Sequence, residues 1–203
     1  MSNIKVTSGL TVSLDGFGAG VNQSFENPFG KNFGSDLLDN WMFAEPEKKK
    51  HQKEIDAILD ASAFIMGSNM FGPKDRRDTQ EWKGWWGDNP PYHAPVFVLS
   101  HKEREPVEME GGTTFFFVTD GIESALAKAK TAAGNQKVKI MGGPNPINQY
   151  LGAGLIDEFW LHIIPVTIGV GSRLFEGVSN LKLEPIEISG TSVVTHIRYK
   201  VLK

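Results

Sequence analysis

Short runs of apolar residues that end in glycine or other turn residues constrain the fold of this chain more than any other feature of its sequence. Residues 96–99 and 114–118 form nearly continuous apolar runs, which are typical of strands buried on both faces of a parallel sheet. Segments with apolar residues at helical spacing separate most of these runs. Because strands and helices alternate, the sequence predicts an α/β fold with a mostly parallel sheet and helices on both of its faces.

The positions of the predicted elements follow from these periods. Eight strands are predicted at residues 4–14, 63–66, 96–99, 114–118, 138–141, 156–166, 181–188 and 193–202. Helices are predicted at residues 35–43, 47–61, 119–133 (capped by Thr119-Asp120) and 145–151. The last two strands, joined through Ser189-Gly190-Thr191, are expected to form an antiparallel hairpin. Residues 17–34 show no clear period and are predicted to form a long loop, which is often a functional segment.

The amino-acid composition limits the kinds of partner that we expect for this chain. The formal net charge is -3 and the Lys and Arg residues are scattered, so we expect no nucleic-acid partner. The chain contains no cysteine, which excludes disulfides and thiolate metal sites. No run approaches the roughly 18 apolar residues of a membrane span, and the N-terminus lacks the apolar core of a signal peptide. We therefore expect one cytoplasmic domain over residues 1–203, without a membrane partner.

Ligands of such sheets bind beyond the carboxyl ends of the strands. The predicted strand ends carry the segments 15–20, 67–72, 100–102, 119–122 and 142–145. Several of these segments contain glycines, whose backbone a phosphate can approach closely, and helix N-termini follow them. Together they predict a nucleotide-binding edge.

Five motifs give the chain a resemblance to a known family. They are Ser13-Leu14-Asp15-Gly16, Met66-Gly67-x-Asn69-x-Phe71, Val98-Leu99-Ser100, Ile140-Met141-Gly142-Gly143, and Gly154-Leu155-Ile156-Asp157-Glu158 leading to Pro165-Val166-x-Ile168-Gly169. Together with the order of the elements, they resemble the dihydrofolate reductase superfamily. Residues 142–175 are most similar to the reductase domain of riboflavin biosynthesis, the C-terminal part of a bifunctional deaminase-reductase. The resemblance implies a three-layer α/β/α fold with an eight-stranded, mostly parallel sheet and an antiparallel C-terminal hairpin.

The resemblance also implies NADPH as cofactor and a set of residues that would hold it. These residues are Gly67, Ser68, Asn69 and Met70 near the phosphates, Ser100, His101 and Lys102 near the adenosine 2′-phosphate, Gly142, Gly143 and Asn145 along the pyrophosphate and nicotinamide, and Gly18 and Ala19 in the loop that would cover the nicotinamide. The position of Ser68 is commonly Arg in the family, and a hydroxyl binds phosphate more weakly than a guanidinium. The choice between NADPH and NADH stays open, since Lys102 or His101 could supply the positive charge.

The reaction implied is hydride transfer to a pyrimidine or pterin-like heterocycle, which needs a positioned cofactor and a proton source. Asp36 and Asp39 are the candidates for that source, because they lie on the short helix that carries the acid in dihydrofolate reductases. The alternative is that both are ordinary solvent-facing or capping carboxylates. Asp15 is expected to stabilise the loop after the first strand. A noncatalytic nucleotide- or flavin-binding protein on the same fold is the alternative function.

Two groups of side chains remain ambiguous in the sequence. Two roles are predicted for the aromatic segment 82–93. In the first, it covers the sheet as a structural plug or contacts a second copy of the chain, which would give a homodimer. In the second, its rings form a stacking wall for a planar heterocycle. His51, His93 and His162 show no ligand spacing, so no metal site is predicted, and His162 is expected to be a hydrogen-bonded core histidine.

Overall fold

A computed structural model describes residues 4–31 and 40–203 of the chain. Its strands, in chain order, are β1 (Val6–Ser13), β2 (Phe17–Ala19), β3 (Ala63–Gly67), β4 (Pro95–Leu99), β5 (Val107–Glu108), β6 (Thr114–Val118), β7 (Val138–Met141), β8 (Glu158–Ile164), β9 (Ser172–Arg173), β10 (Lys182–Gly190) and β11 (Thr195–Leu202). Nine of these strands form one sheet in the order β10-β11-β8-β1-β7-β3-β4-β6-β5. The remaining two, β2 and β9, pair with each other.

The direction of the strands confirms the predicted α/β class. The six central strands, from β8 to β6 in the sheet order, are parallel. The hairpin of β10 and β11 joins antiparallel to β8. The sheet has nine strands where the sequence predicts eight, because Val107–Glu108 adds an antiparallel edge to β6. A two-residue strand is too short to produce a period of two in a sequence.

The helices of the described residues are α1 (Asn40–Phe43), α2 (Glu47–Lys50), α3 (Gln52–Leu59), α4 (Ser68–Phe71), α5 (Ile122–Ala133) and α6 (Pro144–Gly152), with one 3-10 turn at Glu110–Gly112. Within this part of the chain, no helix is both long and apolar enough to span a membrane.

Two helix boundaries differ from the predictions. The single helix expected at residues 47–61 is interrupted at His51, whose backbone leaves helical geometry while its ring is buried against the sheet. The cap expected at Thr119-Asp120 is wrong by one residue. Gly121 occupies the cap position with a φ of 97°, and Asp120 instead accepts a hydrogen bond from Ser124 Oγ at 2.7 Å.

The sheet lies between two layers, as the resemblance implies. Helices α5 and α6 cover one face, where Ile65, Ile140 and Phe159 are buried. The other face is covered partly by the aromatic segment, which packs on Phe64 and Phe115. The remaining part of that face carries a third apolar cluster, centred on Trp41, Ile164 and Val194 and flanked by Ile55 and Ile58 of α3.

The long loop predicted at residues 17–34 has structure of its own in its described part. Phe17 pairs with Arg173, and Val21 forms an isolated bridge with Lys31. Gly30 has a φ of 92°, and a Cβ atom there would lie 2.6 Å from the backbone carbon of Gly20. The segment therefore folds back on itself at a point that only glycine fits.

Candidate functional site

The predicted cofactor residues converge at the carboxyl edge of the sheet. Strand β7 lies between β1 and β3, so the segments that follow these three strands are neighbours. Met66 and Met141 are register partners at the ends of β3 and β7. Each of these two strands leads directly into a helix, α4 after β3 and α6 after β7. The topology thus brings together segments that are far apart in the sequence.

Contacts between glycines and neighbouring side chains close this junction. A Cβ atom on Gly142 would lie 3.5 Å from both the backbone nitrogen of Gly67 and Sδ of Met70. A Cβ atom on Gly18 would lie 2.9 Å from Cγ of Pro144. We call the meeting point of Gly18–Ala19, Gly67–Met70 and Gly142–Asn145 the glycine junction. It unites nine of the predicted cofactor residues.

Gly143 gives the junction an open surface. Its φ of -75° and ψ of 178° are accessible to any residue, and an added Cβ would meet no atom within 4 Å. Neither backbone strain nor packing among the described residues therefore requires a glycine here. The bare backbone instead leaves room for a ligand, as a nicotinamide dinucleotide would need.

The helix N-termini at the junction offer fewer donors than the sequence suggests. The first and third residues of α6 are Pro144 and Pro146, which have no N–H, so Gly143 and Asn145 hold the donors of its first turn. The helix α4 is a single turn of four residues. Binding of a phosphate at the junction would therefore depend on side-chain cations as well as on backbone N–H groups.

The segment after β4 supplies one such cation. Nζ of Lys102 lies 2.9 Å from Oδ2 of Asp78, and Ser100 Oγ donates a hydrogen bond to the Lys102 carbonyl at 2.8 Å. His101 is exposed. Asp78 also lies 3.9 Å from Nε of Arg77. The three residues predicted near the 2′-phosphate thus form a turn beside the junction, in which Ser100 is half-buried and His101 and Lys102 are exposed.

Arg77 connects this turn to the junction, a role that the sequence spacing does not single out. Its guanidinium donates a hydrogen bond to Oδ1 of Asn69. Arg104 holds the Arg77 segment in place, because it donates hydrogen bonds to the carbonyls of Arg77 at 3.0 Å and of Trp82. The guanidinium of Arg77 therefore contacts Asn69, the residue that follows Ser68 in the junction.

A cavity of about 460 Å³ opens beside Asn69. It is lined by residues 20–24 and Pro28 on one side, by 72–74 and Trp85 on another, and by 171–172. Phe25 stacks on Trp85 with ring centroids 5.8 Å apart, and the Arg76 guanidinium carbon lies 3.8 Å from the centre of the Phe25 ring. These contacts connect the segment after β2 (residues 20–31) to the side of the cavity that carries Trp85.

The tryptophans of the aromatic segment differ in what they contact. Trp86 packs on Phe115 of the sheet, and Nε1 of Trp82 donates a hydrogen bond to the carbonyl of Phe71 at 2.9 Å. These two side chains cover the sheet, as the plug interpretation expects. Trp85 alone of the three lines the cavity.

Asp15 joins two loops at the same edge. Its carboxylate accepts hydrogen bonds from Ser13 Oγ at 2.6 Å and from the backbone N–H groups of Ile168 at 3.1 Å and Gly169 at 2.8 Å. These hydrogen bonds, the one from Ser13 first, hold the pKa of Asp15 below its usual value. With its oxygens engaged in this way, Asp15 has a positioning role.

The two candidate proton donors, Asp36 and Asp39, lie outside the described residues. The described part of their predicted helix is α1, in which Trp41 is buried against the sheet. Their assignment stays a prediction.

The histidines show an arrangement that sequence spacing did not reveal. His162 is buried, as expected, and its Nδ1 lies 2.6 Å from Nδ1 of His196. His196 in turn contacts His51, 145 positions away in the chain, at 2.9 Å between Nε2 and Nδ1. The possible ligand atoms of His51, Glu54 and His196 all lie within 4.8 Å of one another. Only the tertiary fold could bring these residues together.

Comparisons with known proteins agree with this architecture. The model of the RibD C-terminal domain family matches residues 4–197. The chain is 25% identical over 194 residues to the uncharacterized protein YyaP of Bacillus subtilis (strain 168). The aligned region covers 91% of this chain and 89% of that relative.

Two solved structures show the same fold. One is a Shewanella sp. PV-4 protein provisionally described as a riboflavin biosynthesis protein, with a TM-score of 0.70, 23% identity, and coverage of 98% of this chain and 100% of that protein. The other is dihydrofolate reductase of Enterococcus faecalis, solved with NADP(H), with a TM-score of 0.58, 13% identity, and coverage of 98% and 97%. The chain belongs to the RibD C-terminal domain family and has the reductase fold that this family shares with dihydrofolate reductases.

Proposed function

We propose that the protein is a nicotinamide-dependent reductase that reduces a pyrimidine or pterin-like heterocycle. The observation that carries this proposal is the glycine junction, where the open backbone of Gly143 lies between the ends of β1, β7 and β3. A nicotinamide cofactor bound there supplies the hydride. The family match and the reductase fold support the same reaction class.

The chain's own residues would bind and orient the two reactants. Gly67, Asn69 and Gly143 line the path of a dinucleotide, and Lys102 offers a charge for an adenosine 2′-phosphate, which favours NADPH. The segment after β2 covers the cavity and would exclude water from the transfer. Asp36 or Asp39 would supply the proton that the reduced heterocycle takes up.

A pair of matched glycine variants tests the cofactor site. Gly143→Val places a side chain in the open surface, and its backbone conformation suits valine before a proline. Gly152→Val, at the other end of α6, also meets no atom within 4 Å. We expect Gly143→Val to weaken NADPH binding at least about tenfold, which corresponds to about 1.4 kcal/mol, while Gly152→Val binds like the wild type. Quenching of tryptophan fluorescence measures both.

The wild-type protein decides the proposal as a whole. We expect it to bind NADPH and to oxidise it when a pyrimidine or pterin substrate is added. If the folded protein binds neither NADPH nor NADH, the reductase proposal is wrong. If it binds the cofactor but carries a flavin and transfers no hydride to any heterocycle, the noncatalytic alternative is the better description.

The proton source can be tested by turnover once a substrate is known. We expect one of Asp36→Asn and Asp39→Asn to lower kcat by about a hundredfold or more and to change the acid limb of the pH profile. Asp15→Asn serves as control, because a positioning residue alters the rate without changing that limb. Equal pH profiles in all three variants would place the proton source elsewhere.

A further inference from the structure

Three buried side chains that play no part in the glycine junction face one another between the helices and the C-terminal hairpin. His51 lies at the break between α2 and α3, Glu54 lies in α3, and His196 lies in β11. Their exposed fractions are 2%, 5% and 0%. Lys, Glu and Asp are almost never buried to this degree without a partner, so the surroundings of Glu54 are informative.

The distances within this group suit a metal ion. Nδ1 of His51 and Nε2 of His196 are 2.9 Å apart, and the available ligand atoms of all three residues lie within 4.8 Å of one another. Two imidazole nitrogens on one tetrahedral Zn²⁺, each about 2.0–2.1 Å from the ion, are about 3.3 Å apart. An opening of about 0.4 Å between the two rings would therefore admit the ion.

Each candidate ligand also has an outer partner, as metal ligands in proteins usually do. The other ring nitrogen of His51 lies 3.2 Å from Thr191 Oγ1 and 3.6 Å from a carboxylate oxygen of Glu47. The other ring nitrogen of His196 lies 2.6 Å from Nδ1 of His162. These partners can accept the N–H of each ring, which leaves the two facing nitrogens free of protons for a metal.

Glu54 adds a charge that needs compensation. Its carboxylate accepts a hydrogen bond from Ser189 Oγ at 2.7 Å, and no lysine or arginine of the described ranges forms an ion pair with it. A hydroxyl group does not neutralise a buried carboxylate, whereas a divalent cation does. The Ser189 contact also orients one carboxylate oxygen, as an outer partner of a ligand would.

We propose that His51, Glu54 and His196 bind one divalent metal ion, Zn²⁺ by the preference of a two-imidazole, one-carboxylate set. Three protein ligands leave one position of a tetrahedron for water. Trp41, whose ring packs on both histidines, carries a buried indole N–H without an acceptor among the residues of 4–31 and 40–203. Zinc lowers the pKa of its bound water to about 7, and a hydroxide on the ion would be an acceptor of the kind that this donor lacks.

The ion would connect helices α2 and α3 to the C-terminal hairpin. It would link the α2–α3 break to β11, and thereby hold Trp41 and the start of α1 against β8. This role is structural and does not depend on the proposed reductase function. Its failure would leave that function untouched.

The experiment uses the full chain, first stripped with a chelator and then titrated with Zn²⁺ by calorimetry, and with Co²⁺ by visible absorption. We expect one equivalent to bind, the Tm to rise on binding, and the Co²⁺ spectrum to show the strong bands of a four-coordinate ion. Glu54→Gln keeps the size of the side chain and its contact with Ser189. We expect it to weaken Zn²⁺ binding at least about tenfold.

The remaining histidines provide matched controls. His93 and His101 are exposed and lie outside the group, so His93→Ala and His101→Ala should bind Zn²⁺ like the wild type. His196→Asn removes a ring from the core and can weaken Zn²⁺ binding by disturbing the fold, so its effect is interpreted only together with that of Glu54→Gln. Broadening of the His51 and His196 ring signals by Co²⁺ in NMR spectra of the wild type tests the site without any variant. Lack of binding by the folded wild type, or equal weakening by His101→Ala, would overturn the proposal.

Discussion

At the proposed cofactor site, Lys102 is the residue that we expect to bear most directly on the choice between NADPH and NADH. It is 70% exposed and pairs with Asp78 at 2.9 Å. Exposed ion pairs of this kind contribute roughly 0–1 kcal/mol, so a phosphate can replace the carboxylate at little cost. A contact with a charged group contributes about 1.5–3 kcal/mol when well formed, and less at an exposed site. The net preference for NADPH is therefore expected to be modest.

We predict that Lys102→Ala weakens NADPH binding about fivefold and leaves NADH binding unchanged, since NADH has no 2′-phosphate. This corresponds to about 1 kcal/mol. Parallel titrations with the two cofactors measure the ratio. Lys182→Ala, an exposed lysine on the hairpin, is the matched control and should change neither affinity.

A variant of Asp78, the ion-pair partner of Lys102, is expected to change NADPH affinity in the opposite direction. Asp78→Asn removes the competing carboxylate and should strengthen NADPH binding by a similar factor. Equal effects on NADPH and NADH from either substitution would show that the turn acts on the fold of the site and not on the phosphate.

At the scale of elements, one aromatic side chain, Phe25, joins the segment after β2 (residues 20–31) to the aromatic segment. Phe25 is 42% exposed, yet its ring contacts both Trp85 and the Arg76 guanidinium. An aromatic pair contributes about 0.5–1.5 kcal/mol and an exposed cation–π contact about 0.5–1 kcal/mol. Contacts of this size hold a segment closed while still allowing it to open for a ligand.

We predict that Phe25→Ala increases the rate of proteolytic cleavage within residues 20–31 roughly tenfold. The free energy of global unfolding should change by less than about 0.5 kcal/mol, because Phe25 lies outside the buried clusters. Limited proteolysis and urea unfolding measure the two effects. Ile188→Ala, which removes a 68%-exposed side chain from the hairpin, should leave cleavage unchanged. Unaltered cleavage in Phe25→Ala would mean that other contacts hold the segment.

The elements also show which structure a sequence pattern can predict. Strands such as β4 were predictable because they are buried on both faces and therefore continuously apolar. The pairing of Phe17 with Arg173 was not, since two short strands far apart in sequence leave no period. The break at His51 was hidden for a similar reason: the apolar spacing of Ile55, Ile58 and Leu59 continues through α3, while the ring of His51 contacts His196 of β11, which is distant in the sequence.

At the scale of the whole molecule, topology adds information that no local pattern contains. The glycine-rich strand ends indicated a binding edge, and the order β1-β7-β3 in the sheet brought those segments into contact. The same topology brought His196 next to His51, 145 positions away, which spacing could not predict. Conversely, the prolines of α6 show that a strand-glycine-helix pattern alone overstates the donors available to an anion.

Lys139 links one side chain to the stability of the whole sheet. It lies in β7, between β1 and β3, is 4% exposed, and donates a hydrogen bond to the carbonyl of Ala57. Burial lowers its pKa from 10.5 to about 8. The folded state therefore disfavours the charged form, at a cost of about 3 kcal/mol at neutral pH. This cost is fully present below the folded pKa and disappears as the pH rises towards the unfolded pKa.

We predict that wild-type stability rises with pH relative to Lys139→Met, which cannot titrate. Between pH 7 and about pH 9.5 the difference in the free energy of unfolding should shift by about 2 kcal/mol in favour of the wild type. The pH-independent part of the difference is less informative, because the variant also leaves the Ala57 carbonyl without its donor, which costs about 1–3 kcal/mol. Urea unfolding of both proteins at several pH values isolates the shift, since the other lysines and tyrosines titrate equally in each. A constant difference across this range would show that the buried amine keeps an ordinary pKa, and that water or a movement of α3 solvates it inside the sheet.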